Sequence, residues 1–531
     1  MIPMSLGDVA AAIGATCPAA TAGVVVRRMT TDSRDVRPGD LFFALRGVRF
    51  DGHDFKGEAL GKGAVGCVCD REFVPAPQTP SPSQGEGRGE RRIAASTPHP
   101  SLSPQGERGF LRKPRSGDES ERFFFVDNTV DALGRLAKHY RHAVLPVSTV
   151  VIAVTGSNGK TTTKCMIDHV LGGEFKGRAS PKSFNNAIGV PLTLLSADAD
   201  DRYLVVEVGT NAPGEVASLA ALASPNVAVI TSIGEAHLEG LGDIHAVAAE
   251  KTSLLRSVRP AGFAVVNVDR PEVLPYLAVA GRTRLLTFGV DESAKLCVTP
   301  LRAAGFSPRG TSARTKVRGS LRGTAFELEG RYCVELPMPG AHHATNAAAA
   351  FAVARWFGVA PERIVERLRS FHPPEGRTQL AEIGGVKVVD DAYNANPASV
   401  AAAVEALQCA QNGRRVLVLG DMLELGVDSA ASHRRVVRTA VEAGIEVLVA
   451  VGPATVEAAR AGKSEPNGTQ VYCCEDISGA NEVLDALIAV GDTVWIKGSR
   501  GMQLDRIVRH LQTRLNAGEP RALARAEIRA G

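Results

Sequence analysis

The chain has no uninterrupted apolar run of about 18 residues, the length a helix needs to cross a bilayer, so the sequence predicts no membrane span. Its opening stretch, MIPMSLGDVAAAIGA, lacks a basic segment followed by a long apolar core, so no signal peptide is expected. Its nine cysteines form no framework: only Cys67/Cys69 and Cys473/Cys474 lie close together, and neither pair has zinc-ligand spacing. An odd number of scattered thiols fits reduced cysteines in a cytoplasmic protein. A strong charge of one sign is also missing. The net charge is +4, with much of the arginine in one odd stretch and in the tail, which argues against nucleic acid as a partner.

What is present is the balance of a folded protein, 44% apolar and 22% charged. With 531 residues, the length favours about three domains. From residue 147 onward strand-like and helix-like segments alternate, the pattern of α/β layers. VVIAVTG (150–156), YLVVEVG (203–209), VAVITSIG (227–234) and FAVVNVD (263–269) are apolar, β-branched and ended by Gly, Asp or a turn, as buried parallel strands are. A second set follows in VKVVDDAYN (386–394), RVLVLGD (415–421), EVLVAVG (446–452) and DTVWIKG (492–498), with Ala-rich helical stretches such as 398–410 between them. The expectation is two doubly wound sheets in series, a central domain over 147–372 and a C-terminal domain over 373–531. They would hinge at FHPPEGR (371–377), where Pro-Pro and Gly break any helix.

Residues 1–146 read as a smaller α/β domain. A Pro-, Ser-, Gly-, Glu- and Arg-rich stretch over 75–122 interrupts it, with too few aliphatics to offset its conformational entropy. It is expected to be a disordered insertion between a strand ending near Asp70 and one starting near Phe123. The tail after about Asn516 reads as an exposed or frayed end.

The strongest motif is VTGSNGKTTTKCM (154–166), a buried strand running into Gly156-Ser157-Asn158-Gly159-Lys160-Thr161-Thr162 and then a helix. The glycines let backbone N–H groups turn towards an anion, and the helix N-terminus adds its positive dipole end. Lys160 would supply a charge for the β- and γ-phosphates and Thr161 a hydroxyl for Mg²⁺. The first Gly of the general phosphate-loop pattern is replaced by Val154. Mg²⁺ needs hard oxygen ligands near the phosphates. Glu207, in LVVEVGTNAPGEV, stands at the carboxyl end of a predicted strand among apolar neighbours, a position that demands a cation, whether a metal or a salt-bridge partner. His237, in SIGEAHLEGLG, follows the next strand at the edge where open α/β sheets bind ligands. Lys251, in AAEKTSLL, reads on its own as a solvated helix lysine, since an ammonium would repel Mg²⁺.

TGSNGKTT, EVGTNAPGE, SIGEAHLEGLG and AAEKTSLL together resemble the central ATPase domain of the Mur ligase family, which includes folylpolyglutamate synthetases. The resemblance implies ATP as substrate, Thr161 and Glu207 on one Mg²⁺, and His237 with a carbamylated Lys251 on a second. PGAHHATNAAAA (339–350) is similar to the family's helix start near the adenine and places Asn346 at the nucleotide, although Ala341 and His343 stand where the family usually has a basic residue and Asn. EGR (375–377) implies Arg377 as a γ-phosphate contact and catalytic partner of Lys160, and DDAYNANP brings Asp391 to the ATP.

Other segments narrow the reading. SPKSFNNAIGVPLTLL (180–195) resembles the tripeptide-binding loop of the members that add D-alanyl-D-alanine, which implies Asn185 and Asn186 as substrate contacts. DDAYNANPASV (390–400), with Tyr393 and Asn394 as further contacts, VLVLGDMLELG (416–426) and IKGSRGMQLDRIV (496–508) fit those members as well. TTDSRDVRPGDLFFALRG (30–47) resembles the UDP-sugar-binding domain, with Ser33 and Arg34 at the nucleotide sugar. The implied activity is ATP-dependent joining of D-alanyl-D-alanine to UDP-N-acetylmuramoyl-tripeptide through an acyl phosphate, by a cytoplasmic monomer serving peptidoglycan synthesis. Another Mur-family amino-acid ligase or a folylpolyglutamate synthetase is the alternative within the class, and a phosphate-loop switch or scaffold the alternative outside it. His342, His343 and Asp391 are the candidates for a general base, and the sequence does not choose among them.

Overall fold

The computed structural model describes residues 1–47, 50–71, 122–301, 321, 323–411, 413–462 and 468–517. The expected insertion over 75–122, apart from Arg122, and the tail beyond Ala517 lie outside the described residues. Two compact units form, one of residues 3–136 and the other of residues 137–531 with 1–2. The fold is α/β throughout, with parallel-dominated sheets as expected.

In the smaller unit a four-stranded parallel sheet runs in the order Arg28–Thr30, Asp40–Phe43, Gly66–Asp70, Phe123–Val126. Gly66–Asp70 and Phe123–Val126, the strands expected on either side of the interrupting stretch, are direct neighbours with Cys67 opposite Phe123. Phe42, Ala44, Cys67 and Cys69 fill the core of this unit.

The larger unit holds two sheets. The first has nine strands among the described residues, ordered Tyr332–Leu336, Thr324–Leu328, Leu296–Pro300, Arg284–Gly289, Phe263–Asn267, Val227–Ile230, Val150–Thr155, Tyr203–Glu207, Gly177–Ala179. The four strands read from the sequence are its parallel centre. An antiparallel extension from Leu296 to Leu336 was not expected. Val227–Ile230 stops short of the expected 227–234 because Thr231 to Gly234 leave the sheet to bond the phosphate loop instead.

Helix His342–Trp356 packs beside helix Lys160–Leu171 over this sheet. Ala347 to Ala350 are fully buried, so small side chains let two helices and a sheet approach closely around Met166, Val170 and Phe351.

The second sheet runs Gln379–Ile383, Val386–Asp391, Thr493–Lys497, Arg415–Gly420, Val447–Val451, Gln470–Cys474. All neighbours are parallel except the antiparallel edge pair Gln379–Ile383 and Val386–Asp391. Separate apolar clusters cover its two faces, one around Trp495, Leu417 and Val404, the other around Val418, Ile496 and Leu511. Between the two sheets the chain runs irregularly through 370–378, where Pro373 and Pro374 stand and Arg377 N–H closes a turn onto the Pro374 carbonyl.

Candidate active site at the phosphate loop

Strand Val150–Thr155 is buried on both faces, so its chain must turn sharply where it leaves the sheet. It turns at Gly156, where a Cβ would lie 2.0 Å from Thr231 Oγ1. The next strand's exit buttresses the loop. Ser157 N–H donates to the Ser232 carbonyl at 2.9 Å, Thr231 Oγ1 donates to the Asn158 carbonyl at 2.5 Å, and Ser157 Oγ and Gly234 N–H are 2.9 Å apart. Gly159 adopts φ +80°, and a Cβ there would meet Asn346 Oδ1 at 2.2 Å. Helix Lys160–Leu171 starts immediately after it, so its first N–H groups face the loop's concave side.

A cavity of about 320 Å³ opens at this helix start. Into it the structure brings Ser157, Asn158, Gly159, Lys160, Thr161 and Thr162 from the loop, with Asn185, Glu207 and Asn346 from the same sheet layer. Arg377, Asp391, Tyr393 and Asn394 come from the second sheet's side. Gly156, also predicted at the nucleotide, does not line the cavity. The other predicted nucleotide residues therefore converge, although Lys160 and Asp391 are 231 positions apart in the chain. Lys160 Nζ donates to the Gly156 carbonyl at 2.8 Å, and burial pushes its pKa below the ordinary lysine value, with Glu207 opposing. Arg377 donates from its guanidinium to Thr161 Oγ1 at 3.3 Å and lies 3.9 Å from the centre of the Tyr393 ring, in cation–π contact. Asn396 Nδ2 donates to Asn158 Oδ1 at 2.8 Å, a further bond between the two sheets' layers.

Three carboxylates line the cavity, Glu207, Asp269 and Asp391, and the first and last each have a lysine. Asp391 accepts from Lys497 Nζ at 2.7 Å. Glu207, 1% exposed, has Lys164 Nζ at 3.2 Å and Asn185 Nδ2 at 3.1 Å. The cation that Glu207's position demanded is therefore supplied within the protein. Lys160 and Arg377 have no carboxylate partner among the described residues, so the loop faces the cavity with net positive character, which suits a polyphosphate.

Other predicted residues lie off this wall. Asn186 turns its Oδ1 onto Ile188 N–H and Gly189 N–H, capping the following helix. His237, at φ +58°, has its Nδ1 at 2.7 Å from Glu424 Oε2. Lys251 is not the solvated lysine of the bare sequence reading. It is fully buried, and its Nζ has no hydrogen-bond partner among the described residues. Burial, aided by Lys160 and opposed by Glu250, holds its pKa down at about 7. Ser33 and Arg34 belong to the smaller unit. Ser33 is buried there, with its carbonyl accepting from Lys62 Nζ at 2.9 Å, and Arg34 pairs with Asp32 at 2.7 Å.

Of the three candidate bases, burial pushes His342 down to about 4 and His343 well below the ordinary histidine value. Their rings pack tilted at 46° with centres 3.9 Å apart, and His343 Nε2 lies 3.3 Å from Thr378 Oγ1. Both are neutral near pH 7 and weak as bases, and Asp391 is already committed to Lys497.

Sequence reasoning missed Lys164, Lys497, Asn396 and Glu424. The first two carried a readable signal. Lys497 ends an apolar strand as Glu207 does, and Lys164 stands four positions beyond Lys160 on one helix face. Nothing local marked Asn396 or Glu424, whose partners lie 238 and 187 positions away.

Comparison with known proteins gives the same picture. Residues 154–354 match the Mur ligase middle domain, 376–500 the Mur ligase glutamate ligase domain, and 25–95 the Mur ligase family catalytic domain. The UDP-N-acetylmuramoyl-tripeptide--D-alanyl-D-alanine ligase of Bacillus subtilis is 31% identical over 497 residues, covering 92% of this chain and 93% of that protein. The Escherichia coli enzyme of the same name is 31% identical over 500 residues, covering 92% and 95%. Among solved structures, MurF from Acinetobacter baumannii superposes with a TM-score of 0.76 at 26% identity, over 96% of this chain and 99% of that one. MurF ligase from Thermotoga maritima in complex with ADP gives 0.69 at 26% identity, over 93% and 99%. A phosphate loop buttressed by its neighbouring strand, an arginine and an aspartate arriving from a second sheet, and relatives matched over nearly their whole length lead to one conclusion: this chain belongs to the Mur ligase family.

Proposed function

We propose that this protein uses ATP to join D-alanyl-D-alanine to the terminal carboxylate of UDP-N-acetylmuramoyl-tripeptide, releasing ADP and phosphate, as a cytoplasmic step of peptidoglycan synthesis. The observation that carries the reading is the convergence of Lys160, Thr161, Glu207, Arg377 and Asp391 on one cavity. The activity for which the relatives are named, matched over nine-tenths of the chain, suggests the substrates.

The chemistry follows from the leaving group. A carboxylate cannot expel oxide, so its oxygen first attacks the γ-phosphorus of ATP, the bond to the β-phosphate oxygen breaks, and ADP departs. The amine of D-alanyl-D-alanine then attacks the acyl carbon, the carbon–oxygen bond to phosphate breaks, and the amine loses a proton. Lys160 and Arg377 neutralise the charge that the phosphoryl group carries, and the loop N–H groups hold it in line. Arg377 is held by Tyr393 on one side and by Thr161 on the other, which fixes the guanidinium's plane towards the loop.

The donor set suits Mg²⁺. Thr161 Oγ1 sits at the loop, and Glu207 Oε2, which accepts no hydrogen bond and is paired only with the Lys164 ammonium, belongs to a residue lining the same cavity, leaving the remaining positions to phosphate oxygens and water. Bound there, the ion would screen the approach of two anions. For the second ion the set would be His237 with Lys251 as its carbamate. A neutral amine is the form that captures CO₂, and burial, by bringing Lys251 down to about 7, makes a large share of it neutral near pH 7. Intact-protein mass spectrometry with and without bicarbonate checks this, expecting an increment of one CO₂ that is absent in Lys251→Met.

The function is tested by mass detection of the pentapeptide nucleotide, with diaminopimelate and lysine tripeptides offered separately. Product is expected only when ATP, tripeptide nucleotide and D-alanyl-D-alanine are all present. Phosphate release indifferent to both peptide substrates would instead indicate a nucleotide switch.

A further inference from the structure

We infer that Lys164 is a positioning residue for the peptide acceptor: its buried ammonium ties the loop over 180–186 to the phosphate-loop helix. Lys164 stands one turn beyond Lys160 on that helix and is 1% exposed. An ammonium has three protons to satisfy, and a buried one must find an acceptor for each. Lys164 Nζ donates to the Ser180 carbonyl at 2.8 Å and to the Lys182 carbonyl, and lies 3.2 Å from Glu207 Oε2. An apolar residue would cover the same helix position without the cost of desolvating a charge, so the packing alone gives no reason for lysine.

The two carbonyls and the Glu207 carboxylate belong to one circuit. Ser180 leaves the sheet edge with its N–H on the Val205 carbonyl at 2.8 Å. Lys182 adopts φ +47°, an uncommon conformation for a side-chain-bearing residue, and its carbonyl turns onto the ammonium. The loop then returns at Asn185, whose Nδ2 reaches the other Glu207 oxygen at 3.1 Å and whose carbonyl accepts from Gly209 N–H at 2.8 Å. Both ends of the segment are thus anchored on the Lys164–Glu207 pair. The pair joins the helix that begins at the phosphate loop to the segment expected to hold the tripeptide. Lys164 places the acceptor carboxylate relative to the nucleotide without touching either.

This rests on the proposed ligase reading and deepens it. The test uses the full chain with Lys164→Met, which keeps the unbranched stem and removes the charge, without Mg²⁺ or ATP. Titration calorimetry measures affinity for the tripeptide nucleotide and, separately, for ADP. Hydrogen exchange follows the amides of 180–186 and those of Ile167 to Leu171. Affinity for the tripeptide nucleotide is expected to fall by about tenfold or more while that for ADP holds within about twofold. Exchange should quicken in the loop but not in the helix. Equal losses of both affinities, unchanged affinity, or lost affinity without faster loop exchange would each overturn the role. If Lys164→Met does not fold, Lys164→Gln, which keeps two N–H donors, is put through the same comparison and decides it. A wild-type protein that binds no tripeptide nucleotide sinks the ligase reading itself; wild-type binding that Lys164→Met leaves intact sinks only the role of Lys164.

Discussion

Replacing Gly159 by alanine should damage the phosphate loop more than its backbone angle alone explains. Gly159 has φ +80°, and an L side chain in the left-handed region costs roughly 1–2 kcal/mol. The new Cβ would also lie 2.2 Å from Asn346 Oδ1. Asn346 is 5% exposed and cannot swing into solvent. Moving it breaks the Thr163 Oγ1–H donation to Asn346 Oδ1 at 3.2 Å and the Asn346–His343 contact at 3.3 Å. Two buried hydrogen bonds at about 1 kcal/mol each bring the expected loss to roughly 3–4 kcal/mol. Gly214 is the internal control, because it has φ +87° with nothing within 4 Å of its Cβ position. Gly214→Ala should cost only the left-handed penalty, roughly 1–2 kcal/mol. Urea unfolding followed by indole fluorescence suits the comparison, since Trp356 ends the helix that carries Asn346. Equal urea midpoints for the two variants would refute the clash argument.

Lys251 should make stability depend on pH. Its folded pKa is about 7 against an ordinary 10.5, so between those values the unfolded chain binds more protons and stability rises with pH. In CO₂-free buffer Lys251→Met should therefore be more stable than wild type at about pH 7.5, with the gap narrowing by about 1.4 kcal/mol per pH unit as pH rises. Parallel urea-midpoint profiles for the two proteins would contradict the burial argument. Arg377→Lys keeps a charge but loses the planar contact with Tyr393 and the fixed N–H towards Thr161. Steady-state kinetics should show kcat lowered by roughly 10- to 100-fold with KM for D-alanyl-D-alanine little changed, and an unaltered kcat would remove Arg377 from the γ-phosphate.

Much of the molecule could be read in the sequence because burial on both faces leaves an unambiguous trace. Each of the eight apolar runs is a strand, and the phosphate loop sits where its glycines and following helix require. Most strands that escaped notice are at sheet edges or in the antiparallel extension, and Arg284–Gly289, which lies inside the parallel run, is buried at only its last two residues. Gln379–Ile383 and Gln470–Cys474 are only partly buried, so their apolar residues never form a continuous run. In the site, residue types legible as ligands were found, but their partners were not. Glu207 read as a carboxylate needing a cation, yet spacing could not say that Lys164, 43 positions earlier, already meets that need. Lys251 read as exposed because an isolated lysine in a helix usually is, and only the packing of the helix Ile244–Thr252 against its surroundings reveals that the amine is dry.

The central claim is that a triphosphate anchored at Lys160 activates a carboxylate before any amine attacks. The most direct test labels the tripeptide's terminal carboxylate with heavy oxygen and follows the label by mass spectrometry during a single turnover. One labelled oxygen should appear in each released phosphate, and Lys160→Ala should release neither labelled phosphate nor pentapeptide nucleotide. Label retained wholly in the peptide while phosphate leaves unlabelled, or product formed by Lys160→Ala at the native rate, would contradict the account.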